Sequence, residues 1–291
     1  MKSKKKRVRE ITDYIKFVFP MLILYILFFI LPLFQTIGYS FTDYNGINPK
    51  KEFTGLTNYF DVFQDKWFYN SMAFTGKSVL LMILLANVLG FLLALALNTK
   101  IRSRNILRAI VFCPFVFNNV TVGFIWQFLL GRFMTDLYPL TGWKVFNIGW
   151  LSDNSLVLYS VVFVKLWQSI GYFMVIYLAG LQLLPQDPLE AAVIDGCTGI
   201  KMIRYITIPL MKPTAFVCIF LAITESLNMF PLIMSLTNGG PGHASENISL
   251  YIYNEAFKSH RMGYASALAV ILTIIMTIIA GLQMKLTRED A

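Results

Sequence analysis

Residues 187–213 read DPLEAAVIDGCTGIKMIRYITIPLMKP, a polar-tolerant helical stretch set between long apolar runs. Asp187 suits a helix cap, Pro188 suits the first helical position, and Glu190 falls three residues after the cap. Orphan amide donors and the positive end of the helix dipole favour that arrangement, which predicts a helix starting at Asp187. Ala191 and Ala192 propagate it with little side-chain bulk, and Asp195-Gly196 then permits a bend. Ile200 to Ile206 resumes a helix ahead of Pro209 and Pro213. The expected product is a helix–bend–helix knob over 187–205.

What surrounds this knob is apolar. The 291 residues are 56% hydrophobic and only 14% charged, against about a quarter charged in a soluble domain. Mean hydropathy is +0.61. An all-α integral membrane protein is expected, with segments of roughly 20 residues each able to span a bilayer. These fall at about 14–39, 76–98, 107–130, 156–184, 206–236 and 264–284. The run beginning at Phe17 is too long for a signal-peptide core and lacks a small-residue cleavage site, so it reads as an uncleaved first span. The expected organisation is a basic tail over 1–13 followed by one transmembrane domain over 14–291.

The net charge of +9 sits at the ends of apolar runs. That placement fits topology and lipid headgroups and argues against nucleic acid. Lys2, Lys4, Lys5, Lys6, Arg7 and Arg9 precede the first span, Lys100, Arg102, Arg104 and Arg108 follow the second, Lys201, Arg204 and Lys212 follow the fourth, and Lys285 and Arg288 follow the last. The positive-inside rule makes this side cytoplasmic and puts both termini and the knob inside.

Catalytic and metal chemistry find no support. No Gly-rich loop ending in Gly-Lys-Ser/Thr is present, His243 and His260 are too far apart for a helical metal pair and read as solvated loop residues, and Cys113, Cys197 and Cys218 are scattered. Ala86, Gly90 and Ala94 recur every fourth residue, a ridge that lets helices approach closely.

The knob resembles the EAA loop of permease subunits in binding-protein-dependent ABC importers. The resemblance rests on Glu190-Ala191-Ala192, Asp195-Gly196 and Ile206-Thr207-Ile208-Pro209 with Pro213, with Cys197 where Ala is commoner and Lys201 where a polar or basic residue is usual. Ser40-Phe41-Thr42-Asp43, Phe53-Thr54-Gly55-Leu56, Asn58-Tyr59 and Leu236-Thr237-Asn238-Gly239-Gly240-Pro241 are similar to the sugar permeases of the maltose and glycerol-phosphate kind. The resemblance implies a six-helix type I importer permease fold with a cytoplasmic coupling helix. It assigns Glu190, Ala191, Ala192, Asp195, Gly196, Lys201 and Arg204 to contact with an ATPase. It also implies a bacterial plasma-membrane location, a second homologous permease, two cytoplasmic ATPase subunits holding ATP and Mg, an extracytoplasmic solute-binding protein and a sugar substrate. This chain itself would hold no cofactor and perform no covalent chemistry. Around Tyr59, Phe60, Phe63 and Phe68 the spacing fits either an amphipathic surface helix or packing against the bundle.

Polar groups within spans are costly and mark function by default. Lys165 lies roughly 14 Å into the fourth span at 1.5 Å per residue, and Glu225 is near the middle of the fifth. Gln168 and Tyr172 share the face of Lys165, and Asn228 shares that of Glu225. With Asn118, Asn119 and Trp126 these groups supply amides, a carboxylate and an aromatic face for a hydroxyl-rich substrate. The same pair also fits a structural interhelical bridge, or the coupling site of an ion-driven carrier, although no inverted repeat accompanies it.

Overall fold

The computed structural model describes residue 16 and residues 18–99 and 102–289. The basic tail over 1–13, the expected span start at Tyr14, Phe17 and Lys100 lie outside the described residues. The chain forms two compact units, one comprising residues up to Gln64 with Ile252–Ile274 and the other Asp65–Tyr251 with the residues from Ile275 onward. Among the described residues only helices and one isolated bridge, Thr42 with Phe53, are present. Four helices are long and apolar enough to cross a membrane, or six if each of two bent pairs counts as one span.

In the first unit, α1 (Val18–Tyr39) exposes nearly all of its apolar side chains. Its Ile26–Ile30 turn is widened, Leu31 N donating to Ile26 O, just ahead of Pro32. Proline cannot donate and its ring crowds the carbonyl four residues back, so a widened turn absorbs it without a break. The short α2 (Thr57–Gln64) is tied to the end of α1: Asn58 Nδ2 donates to Ser40 O and Thr42 O, each at 2.9 Å, and the Tyr59 hydroxyl lies 2.7 Å from Ser40 Oγ. Phe60 and Phe63 remain exposed.

The second unit is built on α3 (Lys66–Leu97), which begins well before the expected 76 because Asp65 Oδ1 accepts from Trp67 N at 2.8 Å. Phe68 and Phe74 are therefore buried residues of this helix. Ala86, Gly90 and Ala94 are buried, and Gly90 leaves room for Phe173 of α6 (Val157–Gln182). The third apolar run, expected to be continuous over 107–130, is α4 (Arg104–Val116) and α5 (Asn119–Thr141), bent by 93°. Phe117 is extended there, and Asn118 caps α5 by accepting from Val120 N at 2.8 Å.

The expected 206–236 segment is likewise three pieces. It comprises α8 (Ile200–Leu210), α9 (Lys212–Leu227), set at 70° to α8, and α10 (Phe230–Leu236). Two prolines sit at starts, Pro213 in α9 and Pro231 in α10, where a missing donor costs nothing. Between α6 and α8 runs α7 (Gln186–Ile194), and α11 (Ile248–Tyr253) and α12 (Met262–Glu289) complete the chain. Within this unit α3 packs along α6 and α9, while α10 packs on the first half of α5.

Candidate functional site

The knob forms, with two corrections to its reading. Helix α7 starts at Gln186 after extended Pro185, so Asp187 lies in the first turn and makes no side-chain cap. Its acidity still faces the positive end of the dipole. Pro209 does not end α8, because the Ile203–Thr207 turn is widened, with Ile208 N donating to Ile203 O. This repeats the device seen before Pro32. The break comes instead at Met211.

The bend itself is a tight C-terminal cap. Cys197 N donates to Ala192 O at 2.8 Å and Gly196 N to Val193 O at 3.0 Å, with Gly196 at φ +74. This paired closure needs a left-handed residue after the cap, which glycine adopts without strain. The result is a display. Ala192 is buried, but Glu190, Ala191, Asp195, Gly196, Lys201 and Arg204 are exposed, as are Val193, Ile194 and Ile200, the last two above 80%. Among the described residues none forms an ion pair with Glu190, Asp195, Lys201 or Arg204. Exposed isoleucines beside unpaired charges of both signs are the makings of a docking surface.

The polar residues of the spans behave differently. Lys165 is 2% exposed and its Nζ lies 2.6 Å from Glu225 Oε2, with Asn119 Oδ1 accepting at 3.5 Å. Gln168 Nε2 donates to Phe117 O at 2.9 Å, and Tyr172 stacks flat on Phe115 with centroids 4.5 Å apart. Lys165, Glu225, Asn119 and Gln168 thus come together around the bend between α4 and α5. Asn118 spends its side-chain carbonyl on the cap, and Asn228 is exposed at the end of α9. Trp126 packs edge-on against Phe163 and Trp167, its Nε1 buried without a partner, and Gln168 Oε1 is likewise buried without one. Removing a lysine and a glutamate from water costs several kcal/mol per ion, which only close pairing offsets.

A second polar knot has no counterpart in the sequence reading. His243, expected to be a solvated residue, keeps half of its side chain exposed, while its Nδ1 lies 2.5 Å from Oε2 of Glu246 and its ring 4.4 Å from that of Trp67. Glu246 is 2% exposed, Asn70 Nδ2 donates to His243 O at 3.0 Å, and the Tyr251 hydroxyl donates to Asp65 Oδ2. These contacts fasten the Gly-Gly-Pro turn to the start of α3. The adjacency of Trp67 to His243 joins residues far apart in sequence and leaves no local signal. Among the described residues no cluster of His, Cys, Asp and Glu is arranged for a metal.

Residues 86–288 match the family described as the binding-protein-dependent transport system inner membrane component. The chain is 35% identical to a probable starch degradation products transport system permease protein of Thermoanaerobacterium thermosulfurigenes, over 99% of this chain and 98% of that one. It is 34% identical to a multiple sugar-binding transport system permease protein of Streptococcus mutans, over 92% of each chain. It is 30% identical to a trehalose/maltose transport system permease protein of Thermococcus litoralis, over 93% of this chain and 92% of that one. In fold it is similar to a chain of a bacterial ABC transporter involved in the import of the acidic polysaccharide alginate, with a TM-score of 0.83, 21% identity and 99% coverage of both. An all-α permease with bent spans and an exposed helix–turn–helix, matched over most of its length, belongs to the inner membrane components of binding-protein-dependent transport systems: it is the permease subunit of an ABC importer and not an enzyme.

Proposed function

We propose that this chain conducts a carbohydrate, an oligosaccharide foremost, into the cytoplasm by alternating access. The observation that carries the substrate class is its full-length likeness to permeases named for starch degradation products, multiple sugars and trehalose/maltose. Glu190, Ala191, Asp195, Gly196, Lys201 and Arg204 form the coupling surface over the buried Ala192, with Val193, Ile194 and Ile200 as its apolar anchors. Two cytoplasmic ATPase subunits, which bind ATP and Mg, take hold there. A second permease of similar fold completes the pathway, and an extracytoplasmic solute-binding protein delivers the sugar. The last partner is supported by a similar structure, described as an alginate transporter in complex with an alginate pentasaccharide-bound periplasmic protein. The location is the bacterial plasma membrane, with both termini on the cytoplasmic side.

The energetic logic is differential binding. ATP closes the ATPase pair, the pull passes through α7 and α8, and the spans exchange inward-open for outward-open packing. In between, the sugar needs weak and reversible hydrogen bonds, for which Asn118, Asn119, Trp126, Tyr172 and Asn228 supply the groups, with Gln168 and the Lys165–Glu225 pair behind them. A glycerol phosphate, the solute named for a relative of Agrobacterium fabrum, fits less well. Lys165 is already neutralised by Glu225 at 2.6 Å, which leaves little positive field for a phosphate.

Uptake of labelled oligosaccharides by cells carrying the complete transporter tests the reading. Glu190→Lys is expected to abolish uptake and to weaken or uncouple the ATPase, read by co-purification and ATP hydrolysis. Unchanged uptake with no ATPase bound to the wild type would overturn it.

A further inference from the structure

Helix α6 meets the corner between α4 and α5 and the end of α9 with one face. Lys165, Gln168 and Tyr172 are spaced three and four residues apart and so line up along it. Tyr172 is stacked on Phe115, and Gln168 holds the carbonyl of Phe117 at the corner between α4 and α5. One turn earlier, Lys165 reaches Asn119, the first residue of α5, and Glu225, three residues before the Asn228 that ends α9. The α9–α10 break follows at once. One buried ammonium therefore bridges two helix breaks, the 93° corner at 117–119 and the interruption at 228–229 between α9 and α10.

The arms beyond those breaks belong together. α10 packs against the first half of α5 so closely that a methyl group on Gly123 would lie 1.8 Å from Ser235 Oγ and 3.0 Å from Leu232 O. The arms before the breaks are held elsewhere, α4 on α6 and α9 on α3 and α6. Both breaks thus lie where the packed pair α5 and α10 joins α4 and α9, which are held on α6 and α3. A hinge between packed layers is absorbed by a few residues at element ends, and 117–119 and 228–229 are such ends.

We propose that Lys165 is a positioning residue of the transport cycle, the pin that keeps the two helix breaks in register so that α5 and α10 move as one body. Its charge is neutralised by Glu225 beside one break and it donates to Asn119 at the other, so separating the breaks leaves a buried cation without its carboxylate or without its amide. That penalty falls on intermediates in which only one arm has moved, and it joins movement of the spans to the ATPase stroke. Lys165 acts through the hinge and not by touching sugar. The inference rests on the importer reading.

The test uses the complete complex, with its partner permease, ATPase subunits and binding protein, in proteoliposomes supplied with radiolabelled maltotriose and ATP. Lys165→Met alone leaves Glu225 unpaired and risks misfolding, so Lys165→Met with Glu225→Met is the primary variant, because it strands no charge. Sugar moved per ATP hydrolysed is expected to fall about tenfold, within the range of ordinary coupling energies, with KM for maltotriose unchanged. The reversed pair, Lys165→Glu with Glu225→Lys, is expected to recover most of that ratio. An unchanged ratio in the Met pair would make the ion pair mere packing, and a raised KM with an unchanged ratio would make it a sugar contact; either overturns the proposal. Binding-protein-free ATP hydrolysis reads the same inference without sugar. It is expected to rise in the Met pair and fall back in the reversed pair, and no rise overturns the pin. A wild type that hydrolyses ATP but moves no maltotriose counts against the sugar reading alone.

Discussion

Residues 186–210 and the cluster around Lys165 both carry charge within an otherwise apolar chain, and they satisfy it in opposite ways. On the coupling segment Glu190, Asp195, Lys201 and Arg204 are exposed beside Ile194 and Ile200. Their shape comes from the backbone alone, through the closure at Gly196 and the widened turn before Pro209. Around Lys165 every tie is between elements, and the shape depends on side chains meeting across helices. The first region leaves its charges and its isoleucines uncovered, whereas the second pairs its charges within the chain.

Substitutions sharpen that contrast. The largest effect is expected at Gly171, where a Cβ would lie 2.2 Å from Val111 O and 2.6 Å from Phe112 Cα. Backbone cannot yield as a flexible side chain can, so Gly171→Val should cost at least the upper end of the roughly 1–3 kcal/mol of ordinary overpacking. A thermal melt of the detergent-purified chain should fall sharply. Gly196→Ala is the matching change on the coupling segment. It meets nothing within 4 Å, so only the left-handed backbone penalises it, by roughly 1–2 kcal/mol. Its melt should barely move while ATP-driven transport drops, because the cap that aims Val193 and Ile194 is local. If the two variants melted alike, the distinction between a local display and an interlocked centre would fail.

The smallest effect is expected outside both regions, before α6. The Ser155 hydroxyl donates to Asp153 Oδ1 at 2.6 Å and the Ser155 amide at 2.7 Å, and these bonds hold the carboxyl below its ordinary 3.8. A lowered value means the carboxylate favours the folded turn above that pH and ceases to do so as pH falls through the lowered value. Asp153→Asn should therefore leave neutral-pH transport unchanged. The protection of the Ser155 amide against hydrogen exchange, taken relative to the intrinsic rate at each pH, should fall in the wild type only in acid.

Much of this architecture is legible in local sequence. The coupling knob is a succession of short-range signals, acids at a helix start, alanines, Asp-Gly and prolines, and its bend sits at Gly196. The apolar runs announce helices, and Lys165 and Glu225 stand out because charge is rare among them. The corners are harder to read. Residues 107–130 are apolar on average, and the 93° turn depends on Asn118 acting as a cap, which such an average does not register. Phe117 contributes a carbonyl, which every residue has. The tie of His243 to Glu246 and Trp67, and the close approach of Gly171 to Val111, join distant segments that a one-dimensional reading does not connect.

The central claim is that the exposed knob is where a cytoplasmic ATPase takes hold, and proximity tests it most directly. In a chain with Cys113, Cys197 and Cys218 replaced by serine, Ile194→Cys would be treated with a bifunctional maleimide in membranes carrying the whole transporter. A cross-link from position 194 to the ATPase subunit, with no labelling by an impermeant maleimide added outside intact cells, is the predicted result. Labelling from outside, or an ATPase that co-purifies but never cross-links there, would contradict it.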